Sequence, residues 1–463
     1  MRNEYSLDFL KSAITNSNPK EILGWIKKQN ECVEVKVNKV PFESLQNWKF
    51  DNISGSLVHE SGKFFSIQGI RVNTSLNAIS SWDQPIINQP EVGYLGFIVK
   101  KINNVLHFLI QAKIEPGNIN YVQLSPTLQA TKSNYEQVHN GRKPLYLDYF
   151  KNVLKENVLL DQLQSEQGSR FLKKRNRNII ILVEEDFEVF ENFKWVTLGD
   201  IKELMHYDNV VNMDTRTVVS GIEFGDLDAD VINFISDSII KNNRPNFLKS
   251  TLSTSSFLSN SNIISLITDL KSNSTLDVEK IKLNETKNWV VSKDEITHSE
   301  NKFFKIIGVE VQIGNREVVS WHQPMVEPMS EGICAFVCRE INGVIHFAVQ
   351  AKLECGNHDL IELAPTVQTL TGDPKTLDKT KVPFLDYVLN IEKEKVVLDS
   401  LQSEEGGRFY REQNRNLIIV DNDLDLELPE NFEWMTLNQL NKFIRFNNYL
   451  NIQSRSLIAA IPF

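Results

Sequence analysis

The sequence predicts an α+β fold made of two tandem copies of one domain. The run SWDQPIINQPEVGYLGFIVKKINNVLHFLIQAKIEPGN from Ser81 aligns without a gap with SWHQPMVEPMSEGICAFVCREINGVIHFAVQAKLECGN from Ser320. Within each copy, short β-rich runs such as LGFIVKKI and VLHFLIQAKI indicate strands. Stretches such as TLGDIKELMHYDN carry apolar residues at helical spacing. These patterns favour a mixed or antiparallel sheet with helices packed against it in each copy.

The repeat extends well beyond its gapless centre. LQSEQGSRF at Leu163 pairs with LQSEEGGRF at Leu401, and each copy begins with segments, SLDFLKSAIT and ADVINFISDSII, whose apolar residues recur at helical spacing. The Ser- and Asn-rich stretch from Lys241 is typical of a surface connection. We therefore predict two domains, residues 1–225 and 226–463, each with N-terminal helices.

Composition and charge limit the classes of function. The 463-residue chain is 41% hydrophobic and 24% charged, which is typical of a soluble globular protein. A net charge of -10 argues against binding nucleic acid through a basic face. The N-terminal sequence lacks the pattern of a signal peptide, and no stretch approaches the roughly 20 apolar residues that cross a bilayer. These features predict a cytoplasmic protein whose partners are neither nucleic acids nor membranes.

Several familiar motifs of cofactor binding and catalysis are absent from the chain. The sequence contains no GxGxxG on a strand-turn-helix, no GxxxxGK[ST], no HExxH and no GxSxG. The four cysteines, Cys32, Cys334, Cys338 and Cys355, are too few and too unevenly spaced for a disulfide framework, so we expect reduced thiols. We also expect neither a bound metal nor a redox cofactor.

The first candidate site is the polar face of the strand VLHFLIQAKIE. Because side chains alternate along a strand, Gln111, Lys113 and Glu115 point away from the apolar face. A Lys can bind phosphate, and a Glu can act as a base. The alternative is that these residues form a solvent-exposed face of the sheet with no role in a site. The second copy keeps the same residue types at Gln350, Lys352 and Glu354.

The second candidate is the Trp-x-Gln-Pro sequence, which occurs once in each copy. Trp82 and Gln84 correspond to Trp321 and Gln323. Tryptophan offers a flat surface on which a nucleobase can stack, and the Gln amide both donates and accepts hydrogen bonds. A structural Trp at the end of a strand is the alternative interpretation.

The third candidate is a turn rich in small residues that contains a Glu and an Arg. Glu166 and Arg170 lie in the first copy, and Glu404 and Arg408 in the second. Small residues let a backbone approach a ligand closely, and the Arg fork can bind pyrophosphate, so we expect each Arg to contact pyrophosphate in its own copy. The alternative is a turn with a surface ion pair. Further candidates for substrate binding in the second copy are Tyr410, Asn414 and Arg415.

One segment differs between the copies. QATKSNYEQVHNGRKP after Gln129 has no equivalent in the second copy, so only the first copy holds Tyr135, His139 and Arg142. A Tyr and a His could supply acid and base, which would place catalysis in the first copy. There are two alternatives. The segment could pack at a dimer interface, or catalysis could take place in the second copy with Tyr410. The candidates for substrate binding in the first copy include Ser125, Asn134 and Arg142.

Taken together, these motifs resemble the NDP-hexose 2,3-dehydratases. The resemblance rests on SWxQP, on HFxxQAKxExGN in both copies, on SPTLQATKSNY followed by VHNG, and on LQSEEGGRFYREQNR, and it covers Trp48 to Arg455. It implies two Nudix-like domains per subunit and a homodimer. No Nudix box is present, so we do not expect the magnesium site or the pyrophosphate hydrolysis of Nudix enzymes.

The resemblance also implies a reaction. Its substrate would be an NDP-4-keto-6-deoxyhexose, typically the dTDP-glucose derivative, which loses water across C2 and C3 to give a 3,4-diketo-2,6-dideoxy sugar. The C4 ketone acidifies the C3 proton, so neither a metal nor a nicotinamide is required. The reaction needs a base, for which Glu115, Tyr135 and His139 are candidates. It also needs donors to the C4 oxygen, such as Lys113 or Gln111, and an acid at the C2 hydroxyl.

Two other functions stay open on the sequence. Duplicated domains can retain a site for binding alone, so a non-catalytic sugar-nucleotide-binding protein is one alternative. A metal-dependent Nudix-type hydrolase is the other, although the missing box disfavours it. A dehydratase of this kind would have a downstream 3-ketoreductase as its partner in the cell.

Overall fold

The computed structural model describes residues 5–15, 18–76, 80–135, 143–225, 246–314, 320–370, 377 and 381–462. Residues 5–225 are called the first half here, and residues 246–462 the second half. The α-helices are α1 Ser6–Ile14, α2 Pro19–Glu31, α3 Lys132–Tyr135, α4 Leu147–Lys151, α5 Leu198–Leu204, α6 Met213–Ser220, α7 Phe247–Leu252, α8 Asn260–Asn273, α9 Leu385–Leu389, α10 Leu437–Ile444 and α11 Ile452–Ala459. Among the described residues, no helix is both long and apolar enough to cross a membrane.

The strands occur in the same order in the two halves. The first half contains β1 Val35–Val40, β2 Trp48–Phe50, β3 Leu57–His59, β4 Ser66–Thr74, β5 Ser81–Asn88, β6 Gly93–Ile102, β7 Val105–Ile114, β8 Val122–Ser125, β9 Leu128–Ala130, β10 Val158–Ser165, β11 Arg175–Leu182 and β12 Phe193–Thr197. The second half contains β13 Leu276–Ile281, β14 Trp289–Val291, β15 Glu295–His298, β16 Phe304–Ile313, β17 Ser320–Pro328, β18 Gly332–Ile341, β19 Val344–Leu353, β20 Ile361–Ala364, β21 Val367–Thr369, β22 Val396–Ser403, β23 Gln413–Val420 and β24 Phe432–Thr436.

Each half builds a seven-stranded mixed sheet. In the first half the order is β10-β11-β6-β7-β12, with β8 also paired to β7 and β9 to β6. The β6 and β11 strands run parallel, and the other pairs are antiparallel. The second half repeats this arrangement with β18, β19 and β23 at its centre. The predicted α+β class and the duplication are therefore confirmed, and the Nudix-like character of each half stays a prediction.

The two halves exchange a strand with each other. The β1 strand of the first half pairs with β16, with Val35 opposite Ile313, and β13 of the second half pairs with β4, with Leu276 opposite Thr74. Each five-stranded sheet therefore contains four strands from one half and one from the other. The predicted boundary at residue 225 precedes residues 226–245, which lie outside the described residues, so the two-domain division also stays a prediction.

The apolar face predicted for β7 lies in the core. Phe108 and Ile110 are fully buried, in a cluster that includes residues of both halves. Two buried arginines also join the halves where α6 packs against α11. Arg216 donates hydrogen bonds to Ser456 Oγ at 2.5 Å and to the Ser403 carbonyl, and Arg455 donates from Nε to Thr217 Oγ1 at 3.0 Å.

The backbones of the two halves also touch directly, at glycines of the repeated motifs. Gly117 N donates to the Gly406 carbonyl at 2.8 Å, and Gly356 N donates to the Gly168 carbonyl at 2.7 Å. A Cβ on Gly117 would lie 1.7 Å from the Phe409 carbonyl oxygen, and one on Gly168 would lie 2.1 Å from an Asn357 oxygen. The small residues of the turn are expected from the sequence to allow close approach of a ligand. That expectation is wrong for Gly168 and Gly406, since both approach the opposite half of the chain.

We predict that Gly117→Ala destabilises the protein by about 3 kcal/mol, because either the new methyl group or the facing backbone must move. The control is Gly24→Ala in α2, where nothing lies within 4 Å of the added Cβ. That change should stabilise the helix by roughly 0.5–1 kcal/mol. Urea unfolding of both variants measures the difference. A Gly117→Ala variant as stable as the parent would contradict the close backbone contact.

Candidate active site

A cavity of about 1080 Å³ lies over the polar side of β7 and is completed by the second half of the chain. Gln111, Lys113 and Glu115 line it, as the sequence predicts for one site. The lining residues from the second half are Ser320, Trp321, His322, Gln323, Glu405, Gly407 and Arg408. We call this space the first-half cavity, and it is a composite of both halves.

A hydrogen-bond network fixes the carboxyl group of Glu115. Gln129 Nε2 donates to Glu115 Oε1 at 2.7 Å, and Lys113 Nζ lies 3.9 Å from the same oxygen. Lys113 also donates to the Gln129 carbonyl at 3.3 Å. Ser125 Oγ and Asn212 Nδ2 donate to Gln129 Oε1 at 2.9 and 3.0 Å and so orient its amide. Ser125, predicted to bind substrate, therefore supports Gln129 and is not a lining residue of the cavity.

A second polar group of the cavity surrounds Glu166. Asn176 Nδ2 donates to Glu166 Oε1 at 2.7 Å, and Lys174 Nζ donates to the Glu91 carbonyl. Burial raises the pKa of Glu166 and lowers the pKa of Lys174, and the attraction between the two charges partly offsets both effects. The cavity thus holds a second Lys and a second Glu within reach of a polar ligand.

Arg408 of the second half points into the first-half cavity. Its Nε donates to Gln89 Oε1 at 3.2 Å, and its guanidinium carbon lies 4.1 Å from the centroid of the Phe65 ring. Burial lowers the pKa of Arg408, while the nearby carboxyl of Glu405 favours its charged form. The guanidinium is therefore partly buried and lies against residues of the first half.

Arg170 of the first half is placed in the mirrored way. Its guanidinium carbon lies 4.1 Å from the centroid of the Phe304 ring, and Nη2 lies 4.0 Å from Glu412 Oε1. Both partners belong to the second half. The expectation that Arg170 and Arg408 each serve their own copy is wrong, because the interlocked backbones carry each turn across to the other half.

The Trp-x-Gln sequence is tied to the turn of its own half. Trp321 Nε1 donates to Gln323 Oε1 at 3.0 Å, and Gln323 Nε2 donates to the Gly407 carbonyl at 2.7 Å. The first half repeats these bonds with Trp82, Gln84 and Ser169. Since the turn crosses over, Trp321 and Gln323 line the first-half cavity, whereas Trp82 packs against an apolar cluster that contains Cys355.

The acidic residues Asp214 and Glu405 also line the cavity, and neither was among the site residues predicted from the sequence. Burial raises the pKa of Asp214 well above its ordinary value, and the charges of Glu166 and Glu405 raise it further. Burial, together with Glu115, raises the pKa of Glu405 to about 7. Carboxyl groups that hold protons near neutral pH can act as acids.

The equivalent residues of the second half form a similar network with different charges. Gln368 Nε2 donates to Glu354 Oε1 at 2.9 Å, and Asn414 Nδ2 donates to Glu404 Oε1 at 2.7 Å. Lys352 Nζ donates to the Gln368 carbonyl at 3.2 Å, and Gln350 lies on the same strand. Among the positions that change charge between the halves are Lys174, which corresponds to Glu412, Asp214, which corresponds to Gln453, and Glu405, which corresponds to Gln167.

Several residues selected from the sequence lie outside the first-half cavity. The Tyr135 ring packs edge-on against Tyr94, with centroids 5.6 Å apart, and is not among the lining residues. Arg415 Nη2 forms a surface ion pair with Asp399 Oδ2 at 2.6 Å. Tyr410 packs against the main core. His139 and Arg142 lie outside the described residues, and of Asn134 only the backbone, within α3, is described.

A signal for the missed residues is present in the sequence. Comparison of the two copies selected positions that are identical, such as Lys113 and Lys352. Lys174, Asp214 and Glu405 are positions at which the copies differ in charge. A search for such differences would have found them, although their shared location depends on the crossing of the turns.

Comparison with known proteins assigns the family. The family model for NDP-hexose 2,3-dehydratase matches residues 19–222 and 260–461. Three relatives are each named dTDP-4-dehydro-6-deoxy-alpha-D-glucopyranose 2,3-dehydratase. The one from Saccharopolyspora spinosa is 44% identical, covering 92% of this chain and 87% of the relative. Those from Amycolatopsis orientalis and Streptomyces violaceoruber are 38% and 39% identical, covering 95% and 94% of this chain and 89% and 95% of the relatives.

The first-half cavity has the side chains of a site that binds a charged, polar ligand and moves protons. Cations lie beside paired and unpaired carboxyl groups, and the family model covers both halves that build this cavity. The chain belongs to the NDP-hexose 2,3-dehydratase family, as the resemblance in sequence implied.

The buried carboxyl group of Glu412 generates a prediction about stability. Burial raises its pKa to about 8, an effect that Arg170 only partly offsets, and neither of its oxygens accepts a hydrogen bond. An unfolded Glu releases its proton near pH 4.5, whereas the folded protein keeps this proton up to about pH 8. The difference in the pKa of Glu412 between the folded and unfolded states therefore stabilises the folded protein fully below about pH 4.5. This contribution is lost as the pH rises to about 8.

We predict that Glu412→Gln flattens the dependence of the unfolding free energy on pH between 5 and 8. The change in slope should be at most about 1.4 kcal/mol per pH unit, the limit for one proton. Urea unfolding at several pH values measures it. Glu34→Gln is the control, because Lys36 lowers the pKa of this exposed Glu and keeps it ionised throughout the range. An unchanged slope in Glu412→Gln would show that Glu412 is ionised in the folded state.

Proposed function

We propose that the chain removes water across C2 and C3 of an NDP-4-keto-6-deoxyhexose in the first-half cavity, giving a 3,4-diketo-2,6-dideoxy sugar. The names of the three relatives support dTDP as the nucleotide. The observation that carries the proposal is the paired arrangement of Lys113 and Glu115, which Gln129 holds inside the cavity. The cations Lys174 and Arg408 and further carboxyl groups line the same cavity.

Binding of the nucleotide diphosphate is assigned to Arg408 and Lys174. Both line the cavity, Lys174 buried and Arg408 partly buried, and a guanidinium fork suits the oxygens of a diphosphate. An aromatic group lies next to Arg408: Phe65 is in contact with its guanidinium and with Trp48, whose ring centroid is 4.9 Å away. We assign the nucleobase to this aromatic group, because bases stack on flat rings.

Proton abstraction is assigned to Glu115. A base removes the C3 proton while the C4 ketone takes up negative charge, so the site needs a donor at the C4 oxygen. Lys113 lies beside Glu115 and provides a positive charge, and Gln111 on the same face of β7 provides an amide N–H. Glu115 is favoured over Tyr135 as the base because Glu115 lines the cavity and Tyr135 does not.

Catalysis is assigned to the first half, and the second half completes the site and supports the fold. Each half lends its turn to the other, so neither predicted domain, 1–225 or 226–463, contains a whole site. For the protein in the cell, the proposal includes a cytoplasmic location, a homodimer and a 3-ketoreductase that consumes the diketo product.

We predict turnover of dTDP-4-keto-6-deoxyglucose by the purified chain without added metal or nicotinamide. A 3-ketoreductase and its own nicotinamide, supplied only to trap the product, should yield a 2-deoxy sugar that carries solvent deuterium at C2 when the reaction is run in deuterium oxide. Mass spectrometry of the trapped sugar measures this. Binding without turnover would identify a non-catalytic binding protein, and loss of activity in EDTA would contradict the metal-free reaction.

We predict that Arg408→Ala weakens nucleotide-sugar binding roughly 10- to 100-fold, as expected when a charged hydrogen bond worth about 1.5–3 kcal/mol is lost. The control is Arg415→Ala, which removes a surface ion pair with Asp399 and should leave the affinity unchanged. Isothermal titration calorimetry with dTDP measures both. Equal effects of the two substitutions would remove Arg408 from the binding site.

A further inference from the structure

Asp214 is held in place in the wall of the cavity that the proposed base also lines. It is the second residue of α6, whose first turn is capped by Asn212, the acceptor of a 2.8 Å hydrogen bond from Thr215 N. Thr215 Oγ1 in turn donates to the Leu124 carbonyl of β8 at 3.0 Å. Because β8 pairs with β7, this clamp fixes Asp214 relative to the strand that precedes Glu115.

The Asp214 side chain is buried, lines the cavity and has an unused oxygen. It is 3% exposed. Among the described residues that line the cavity, its Oδ1 is the one buried side-chain polar atom without a hydrogen-bond partner. The other carboxyl groups nearby are used: Glu115 accepts from Gln129, Glu166 from Asn176, and Glu405 from Gly407 N at 3.1 Å. A buried polar atom without a partner is costly unless a ligand satisfies it.

The surroundings of Asp214 favour its protonated form. Burial and the charges of Glu166, Glu405 and Glu115 all raise its pKa, and Lys113 opposes them. Carboxyl groups in one site whose environments differ can take the two roles of acid and base. Here Glu115 is paired with Gln129 and Lys113, whereas Asp214 is surrounded by carboxyl groups.

We propose that Asp214 is the catalytic acid that protonates the departing C2 hydroxyl group. This proposal rests on the proposed function, because it assumes that the sugar occupies the first-half cavity. It assigns the acid role to a residue that neither the motifs nor the sequence differences around Tyr135 and His139 indicated.

The proton and electron balance of the step is complete. Glu115 takes the C3 proton, and the electron pair of the C3–H bond forms an enolate with the C4 carbonyl. The enolate then re-forms the C4 carbonyl and a C2–C3 double bond, the C2–O bond breaks, and its oxygen leaves as water with the proton of Asp214. The proton on Glu115 exchanges with solvent, after which the enol product accepts a proton at C2 from Glu115 and returns its hydroxyl proton to Asp214. Both carboxyl groups regain their starting states, and the sugar becomes the 3,4-diketone.

The second half has the same frame without the acid. Asn451 Nδ2 donates to Gln368 Oε1 at 2.6 Å, as Asn212 does to Gln129. The residue equivalent to Asp214 is Gln453, whose amide does not release a proton near neutral pH and whose oxygen and nitrogen lack partners. The halves therefore share the support for this position and differ in its proton-transfer chemistry.

The test separates the two proton transfers. In deuterium oxide, Asp214→Asn should continue to exchange the C3 proton of the substrate, measured by mass spectrometry of recovered substrate against an enzyme-free sample. Elimination should fall roughly 10²- to 10⁴-fold. With a 2-deoxy-2-fluoro analogue, whose fluoride leaves without an acid, the rate of Asp214→Asn should stay within about tenfold of the parent. Fluoride release measures this rate.

Three further variants complete the test. Glu115→Gln should lose both exchange and elimination, whereas Asp214→Glu should recover part of the elimination rate. Asp161→Asn, on the surface of β10, is the matched control. Two outcomes would overturn the assignment of Asp214. One is full elimination in Asp214→Asn. The other is loss of exchange in Asp214→Asn together with a failure of Asp214→Glu to restore either exchange or elimination. Full activity in both Glu115→Gln and Asp214→Asn would instead overturn the placement of the reaction in the first-half cavity.

Discussion

The contact between the backbones of the two halves is the constraint on which the rest of the structure depends. Gly117 and Gly356 sit so close to the opposite half that a Cβ on either would fall within 1.8 Å of a carbonyl oxygen. Around these contacts, each half gives its first strand to the other half's small sheet, and Arg216 and Arg455 bind across the pair of helices. The duplicated chain therefore resembles an obligate dimer joined into one polypeptide, in which each half is incomplete alone.

The crossing of the turns explains why the cavity is composite. The turn that carries Glu405 and Arg408 belongs to the second half by sequence, and the strand that carries Lys113 belongs to the first. Only the interlock brings them together. Because the same backbone contact occurs twice, the backbone around each site is held in place by packing against the opposite half. A difference at one pair of equivalent positions, such as Lys174 in the first half and Glu412 in the second, then changes the charge of one site without changing the backbone that holds it.

The sequence was sufficient for the class of fold, the duplication and the polar face of β7, because these depend on periodicity and on identity between the copies. It was insufficient for the direction in which the turns project. The glycines near Arg170 and Arg408 have the pattern of a ligand-binding turn, and the same pattern also suits a backbone that meets another backbone. Local sequence does not distinguish the two, since Gly168 meets Gly356, 188 residues away, and Gly406 meets Gly117, 289 residues away, and no motif spans such separations.

Electrostatics gives a reason for the difference between the halves. Burying several carboxyl groups together disfavours their ionised forms, and each protonated group then needs a partner or a ligand. In the first-half cavity, Lys113, Lys174 and Arg408 provide positive charge beside Glu115, Glu166 and Asp214. In the second half, Gln453 replaces the central carboxyl, and Glu412 faces Arg170. The first-half cavity therefore has a buried acid, Asp214, at this position, whereas the second half, built on the same frame, has the amide of Gln453 there and a buried Glu412 whose carboxyl oxygens accept no hydrogen bond.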